Sequence, residues 1–409
     1  MPYGRTRGDL GSQVDFVRLK KETREKTKAA MAKYGLDAVL CMRQENCRYL
    51  TIGPAYPVYR YVFFPGHAEE PTHFEAGMIE PAYRDIPGQK VKVAIPVPEA
   101  LLLNSPAAFD VQLAKLVAQL KQELAEAGLL KGRIGIDTDS GRLIGALEAE
   151  GIKVTLDGWR AMTDARLRKT RDEIELMRIS CAIIEAGFQR AREVIRPGIT
   201  EQQVYAEMAK RCLEQGAELV AGGHVSSGPH SFPIANTRTD RIIRPGDIVL
   251  IDLYDLQYWG YKTCYYRNFV VGKPTQAQKD AWARARDYTW NAIRMMKPGV
   301  TTGQVAALWP RAEEFGYADE EGACLCQWAH GMGLTGYEPP LISRIWSIDH
   351  PEVLEEGMVM AMETISPTGE ITPDHPTGQA LRIEEEIYIT KNGCELLSVW
   401  PVDEIIECW

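Results

Sequence analysis

Two acids close matching segments of the chain: Asp252 in PGDIVLID and Glu363 in EEGMVMAME, each six residues after a glycine, Gly246 and Gly357. Successive side chains on a strand alternate between faces. Ile248, Leu250 and Asp252 therefore share one face, as do Val359, Ala361 and Glu363. An ionised carboxylate at the end of such an apolar row costs several kcal/mol to desolvate unless a cation or a dense hydrogen-bond network compensates it. Two further residues belong with this pair. His330, in AHGMGLTGYEPP, is bounded by small residues in an expected loop that a metal ion can approach closely, and Glu384 in LRIEEEIYIT lies on an expected strand after Arg382. Three acids and an imidazole make a metal cradle. The stretch LIDLYDLQYWGYKTCYYRNF reads as two strands, with Cys264 twelve residues after Asp252, and raises the question of what a thiol does there.

The elements that must position these residues come from a duplication. RPGITEQQV at Arg196–Val204 is echoed by KPGVTTGQV at Lys297–Val305, each with Thr followed three residues later by Gln (Thr200/Gln203 and Thr301/Gln304), the capping box that starts a helix. Turn, cap, strand and acid recur in the same order. Two copies of one unit, related by a pseudo-twofold axis, would bring Asp252 and Glu363 to a shared centre on equivalent strands. Ahead of the duplicated part, Ile174, Met177, Cys181, Ile184 and Phe188 mark one apolar helix face. The first segment is expected to alternate helices with strands: a helix over Val14–Tyr34, buried strands at LDAVLCM and VKVAIP, a helix over Asp110–Ala127, and a strand at RIGIDT. The fold class is α/β, with a smaller α/β domain over 1–165 and a catalytic α+β domain with an internal pseudo-twofold repeat over 166–409.

Composition narrows the function. The chain has 409 residues, 45% hydrophobic and 25% charged, the balance of a soluble globular protein. A net charge of -9 opposes a nucleic-acid surface, which needs a basic face. No run approaches a membrane span, and Met1–Lys20 has no apolar signal core, so a cytoplasmic location is expected. Nine cysteines scattered over a long chain fit free thiols rather than a disulfide framework.

Together, Asp252 in VLIDL, Gly260 and Tyr261 leading to Arg267 in YYRNFVVG, His330 in HGMGL, Glu363 in MVMAMET and Glu384 in RIEEEIYIT resemble the pita-bread family of methionine aminopeptidase, prolidase, aminopeptidase P and creatinase. The resemblance implies a pita-bread catalytic domain, a homodimer, and five ligands in the order Asp, Asp, His, Glu, Glu. These hold two divalent ions (manganese, cobalt, iron or zinc) that activate a water. By this resemblance Asp252, Cys264, His330, Glu363 and Glu384 are the metal set, with Cys264 where the family has its second Asp. Three readings are open there. A thiolate binds a softer ion such as zinc or ferrous iron; Asp255 swings in as a substitute; or the site holds one ion or none, as in creatinase. Cys264 as a covalent nucleophile is disfavoured, because no His neighbours it in sequence.

Peptidase members carry a second His seven residues after the ligand His, where this chain has Tyr337. The substrate His expected shortly before the first Asp strand has only His230 as a match, some residues early. Both departures count against ordinary Xaa-Pro peptidase chemistry. They leave His224, His230 and Tyr337 as catalytic candidates, with Glu363 as ligand and base. Tyr258, Trp259, Trp328 and Tyr337 are candidate aromatic contacts for a cationic or zwitterionic substrate. Arg60 and Arg382 are candidate partners for a substrate carboxylate. The leading expectation is metal-assisted hydrolysis of a C–N bond in a small polar metabolite or dipeptide. Rival expectations are a lyase resembling the pita-bread dimethylsulfoniopropionate lyases, and a binding module that has lost its metals.

Overall fold

The computed structural model describes residues 13–53, 61–78, 87–98, 105–232, 237–315, 317–323, 328–369 and 378–409. Asp15–Arg166 form one compact unit and Leu167–Trp409 belong to a second.

In the first unit, β1 (Ala38–Cys41), β2 (Tyr61–Pro65), β3 (Thr72–Glu75), β4 (Lys90–Val93), β5 (Arg133–Ile136) and β6 (Lys153–Thr155) form one mixed sheet in the order β4-β3-β2-β1-β5-β6. The helix Pro106–Glu126 places Phe109, Leu113, Leu116 and Leu120 in one core with Leu40, Phe63 and Ile134 of the sheet. Helices at Phe16–Lys33 and Pro106–Glu126 match the periodicities that announced them. VKVAIP departs from expectation. Its strand is the outermost of the sheet, and Val93 is 52% exposed because an edge strand has a neighbour on one side only.

The second unit begins with the helix Arg171–Val194, started by a Thr170/Glu173 capping box, which buries Ile174, Met177, Cys181, Ile184 and Phe188. Its first sheet runs β18 (Ile406–Cys408), β10 (Tyr261–Val271), β9 (Ile248–Tyr258), β7 (Leu219–Val220), with β8 (His224–Ser227) also paired to β9. Its second runs β12 (Glu338–Ile342), β11 (Ala329–Gly331), β13 (Val359–Glu363), β16 (Glu384–Thr390), β17 (Gly393–Leu396), and a two-stranded piece joins β14 (Ser366–Pro367) to β15 (Ala380–Leu381).

The duplication is visible in the backbone. Both capping boxes form, at Thr200 and Thr301. Thr200 bridges Ile242 as Thr301 bridges Val353. Gly198 N donates to Ile243 O at 3.0 Å as Gly299 N donates to Leu354 O at 2.9 Å. Gly246 and Gly357 both take positive φ, 82° and 95°, a conformation that favours glycine, immediately before the acid-bearing strands β9 and β13.

Candidate metal centre

The five expected ligands come from five strands, and all are buried: Asp252 and Glu363 on β9 and β13, Cys264 on β10, His330 on β11 and Glu384 at the start of β16. The duplicated strands use one device to set them. Tyr266 of β10 lies opposite Asp252, and Glu384 of β16 lies opposite Glu363. His330 stands on a strand rather than in the expected loop, and Gly331 explains why its neighbours are small. A Cβ on Gly331 would come within 2.3 Å of Pro339 O, so only glycine lets β12 close over this strand.

A ligand atom from each of Cys264, His330 and Glu384 lies within 4.8 Å of the other two. His330 Nε2 is 3.7 Å from Glu363 Oε1 and 3.9 Å from Glu384 Oε1, and Cys264 Sγ is 4.0 Å from Asp252 Oδ1. His330 Nδ1 contacts Gly331 O at 3.2 Å, which leaves Nε2 facing the acids. Tyr266 donates its hydroxyl to Glu363 Oε2 at 2.9 Å, and Arg382 reaches the same oxygen at 3.7 Å while lying 4.8 Å over the Tyr266 ring.

The electrostatics are those of anions gathered without enough positive charge. Burial pushes the Asp252 carboxyl up to about 7, against the pull of Arg382 and with a further push from Glu363. Burial also drives Glu384 well above the carboxylate range, with Glu363 and Asp252 adding to the effect. The Cys264 thiol is raised and the His330 imidazole lowered, both chiefly by desolvation. Buried His330 Nε2, Glu363 Oε1 and both Glu384 oxygens have no hydrogen-bond partner within the protein. Buried polar atoms aimed at one another and left unpaired are costly, and a divalent cation among them would satisfy all four. The residues fit a metal ion.

The other candidates divide. His224 lies directly across from Asp252 in the β8–β9 ladder, on the same face, with its ring tilted against Tyr254 at 5.1 Å. The Tyr337 ring stacks on His330 at 4.2 Å and is 62% exposed, which puts it between the ligands and solvent. His230 is held elsewhere: its Nδ1 meets Glu201 Oε1 at 3.2 Å, and Glu201 also receives Ser227 and Thr239. Trp328 is not displayed to a ligand. It packs in the apolar core, stacked on Trp309 at 5.8 Å and tilted on Phe315. Tyr258 and Trp259 lie at the tip of the β9–β10 hairpin, where Trp259 and Gly260 take the positive φ values of the turn, 51° and 80°. Six residues of strand, roughly 20 Å, separate them from Asp252. Asp255 is committed to an ion pair with Lys262, so it is not poised to replace the family Asp. Arg60 falls outside the described residues.

Two residues that shape the site were not among the sequence candidates. Glu386 Oε2 accepts the Thr263 hydroxyl at 2.9 Å and the Cys264 backbone N–H at 3.3 Å, which anchors Cys264 opposite the bulge, where β9 sets Tyr254 and Asp255 against this single residue of β10. Arg267 is buried and donates to Glu384 O at 2.6 Å and to both oxygens of Glu385 at 2.8 and 2.9 Å, tying β10 to β16. The signal for Glu386 was present in the EEE run, where alternation puts it on the same face as Glu384.

A model of metallopeptidase family M24 matches residues 175–391, more than half the chain. The chain belongs to metallopeptidase family M24. This M24 protein is 33% identical over 242 residues to the Xaa-Pro dipeptidase of Pyrococcus furiosus, covering 58% of this chain and 64% of that relative. It is 28% identical over 306 residues to the dimethylsulfoniopropionate lyase DddP of Roseovarius nubinhibens, covering 72% of this chain and 66% of that one. The chain spans just under two thirds of the length of the first curated dipeptidase relatives. Its fold is that of the Xaa-Pro dipeptidase from Bacillus anthracis, with a TM-score of 0.74 at 22% identity over 95% of this chain and 99% of that one. The prolidase from Pyrococcus horikoshii OT3 gives 0.73 at 24% identity, over 94% and 100%. The pita-bread fold and the family expected from the resemblance are thereby established. Among the described residues, no helix of this M24 chain is long and apolar enough to cross a membrane.

Proposed function

We propose that this M24 chain is a metal-dependent hydrolase that cleaves a C–N bond in a small polar substrate of dipeptide size. One observation carries the reading: buried donor atoms of His330, Glu363 and Glu384, brought together from three strands, face one another without partners. Asp252, Cys264, His330, Glu363 and Glu384 are the residues from which the ligands of an ion would be drawn, and Cys264, His330 and Glu384 already bring one ligand atom each within 4.8 Å of one another. A divalent cation in that cradle supplies Lewis acidity and a water that ionises near neutral pH. The protein's part is to hold the donors and manage protons. Gly331 O fixes the His330 ring, while Tyr266 and Arg382 hold Glu363 Oε2 and leave Oε1 directed into the cradle as a proton acceptor. His224, beside Asp252 on the same face, is an imidazole outside the ligand set from which a leaving amine could take a proton. Tyr337 covers His330 where a substrate arrives, in the place where the resemblance calls for a second His.

A second reading is favoured by a separate observation. The match to the lyase extends over 306 residues against 242 for the Pyrococcus furiosus dipeptidase, and Tyr254, Tyr266 and Tyr337 stand beside the acids. In that reading a carboxylate removes a proton and a sulfide leaves from a sulfonium zwitterion whose charge the ring faces attract. A panel of Xaa-Pro dipeptides, creatine, ectoine and dimethylsulfoniopropionate, offered to metal-loaded protein, separates the two. Release of an amino acid or amine supports hydrolysis. Release of dimethyl sulfide alone replaces hydrolysis with elimination, and no turnover of any member overturns both.

A further inference from the structure

The thiol of Cys264 changes what the cradle can bind, and this step rests on the metal-dependent reading above. We propose that the centre is mononuclear and thiophilic: Cys264 Sγ, His330 Nε2 and Glu384 hold one zinc-like or ferrous ion.

The geometry favours that trio. With bonds of about 2.0–2.3 Å to nitrogen, oxygen and sulfur, a tetrahedral ion spaces its ligands about 3.3–3.7 Å apart. The three ligand atoms already lie within 4.8 Å of one another, and His330 Nε2 to Glu384 Oε1 measures 3.9 Å. Contraction by roughly an ångström, within reach of small side-chain rotations, completes the set. Cys264 is aimed there by the backbone. The β9–β10 register slips by one residue between Thr263 and Tyr265, and Glu386 holds Cys264 opposite the bulge through Thr263 Oγ1 and the Cys264 N–H. Neither His330 Nε2 nor the carboxylate of Glu384 has a hydrogen-bond partner within the protein, and both residues are at most 1% exposed.

The same substitution removes the means of bridging. Two-ion hydrolase sites hold their metals about 3.5–4 Å apart. A carboxylate can span that distance with one oxygen on each ion, whereas a thiolate offers a single atom. On the Glu363 side, Oε2 is already engaged by Tyr266 at 2.9 Å and faced by the Arg382 guanidinium at 3.7 Å, so one of its two oxygens is already matched to a donor and a positive charge. Thiolate donors also move preference away from manganese and magnesium, whose partners are oxygens, toward zinc and ferrous iron. As the sulfur bonds to the ion its proton passes to solvent, and nothing is oxidised or reduced.

The test uses cobalt(II) as the probe on full-length protein stripped of metal by a chelator. Wild type is expected to bind one equivalent at saturation and to develop a near-ultraviolet thiolate-to-cobalt charge-transfer band. Cys264→Ser should lose the band and bind at least about tenfold more weakly, while Cys264→Asp should lack the band and take up two equivalents. Wild type that shows no band, or that takes up two equivalents, overturns the proposal. So does a band that survives in Cys264→Ser, and a single equivalent in Cys264→Asp removes the claim that the thiol sets the count. The wild-type spectrum and stoichiometry decide the matter even if a variant fails to fold. A cobalt–thiolate band in a protein that hydrolyses no substrate sinks the proposed function alone; hydrolysis without the band sinks this inference alone.

Discussion

Around Asp252 and around Glu363 the backbone follows one plan: a positive-φ glycine, an apolar strand, an acid, and an antiparallel partner strand. The side chains that furnish the two halves differ. Opposite Asp252 the first half places Tyr266, a hydroxyl donor; opposite Glu363 the second half places Glu384, another acid. The first half carries the 14-residue helix Glu201–Glu214 behind its capping box, and the second only the 5-residue helix Thr302–Ala306. One half has kept bulk and hydrogen-bond donors, while the other supplies the imidazole and two of the three acids. A duplicated scaffold thus lets one copy serve as support and the other as ligand source, with Cys264 reaching across from the supporting half.

The largest effect that can break this comparison lies in the ligand half. Glu384→Gln should lower metal affinity on the order of 10³-fold, beyond the 10–100-fold typical of an outer partner, as read by competition with a chromophoric chelator. An effect no larger than that of Asp252→Asn would erase the asymmetry. Next comes the stitch between the halves. Arg267→Met leaves Glu385 buried without its cation, and should cost about 3–5 kcal/mol in denaturant unfolding. Tyr266→Phe removes the hydroxyl from Glu363 Oε2 and should cost about 1.5–3 kcal/mol, visible as weaker metal binding of about 10–100-fold with the fold retained by circular dichroism. The smallest effect sharpens the comparison of helices. Thr200→Ala and Thr301→Ala should each cost about 0.5–2 kcal/mol, with the larger loss at Thr200, whose cap starts the longer helix.

Much of this plan was legible in the sequence because it is periodic. The Thr–Gln caps, the glycines six residues before the acids, and the apolar alternation up to Asp252 and Glu363 are local signals that the tertiary structure had no reason to override. The β9–β10 hairpin hid the rest. Counted back from the Trp259–Gly260 turn with regular pairing, Asp252 would face Arg267; the one-residue slip at Cys264 instead brings Tyr266 opposite Asp252 and frees Arg267 to grip Glu385 on the far side. The sequence also offered more aromatic contacts than the site receives. Of the aromatic candidates Trp328 joins the core, because large rings beside a sheet serve packing unless an opening lies over them. The edge position of β4 is set by pairing between distant segments, which no local pattern announces.

The most direct measurement is anomalous diffraction, at the edge of the bound metal, from crystals of the protein purified without chelators. A single peak is expected, about 2.0–2.3 Å from Cys264 Sγ, His330 Nε2 and a Glu384 oxygen. Two peaks about 3.5–4 Å apart without sulfur ligation, or a lone peak away from these residues, would contradict it.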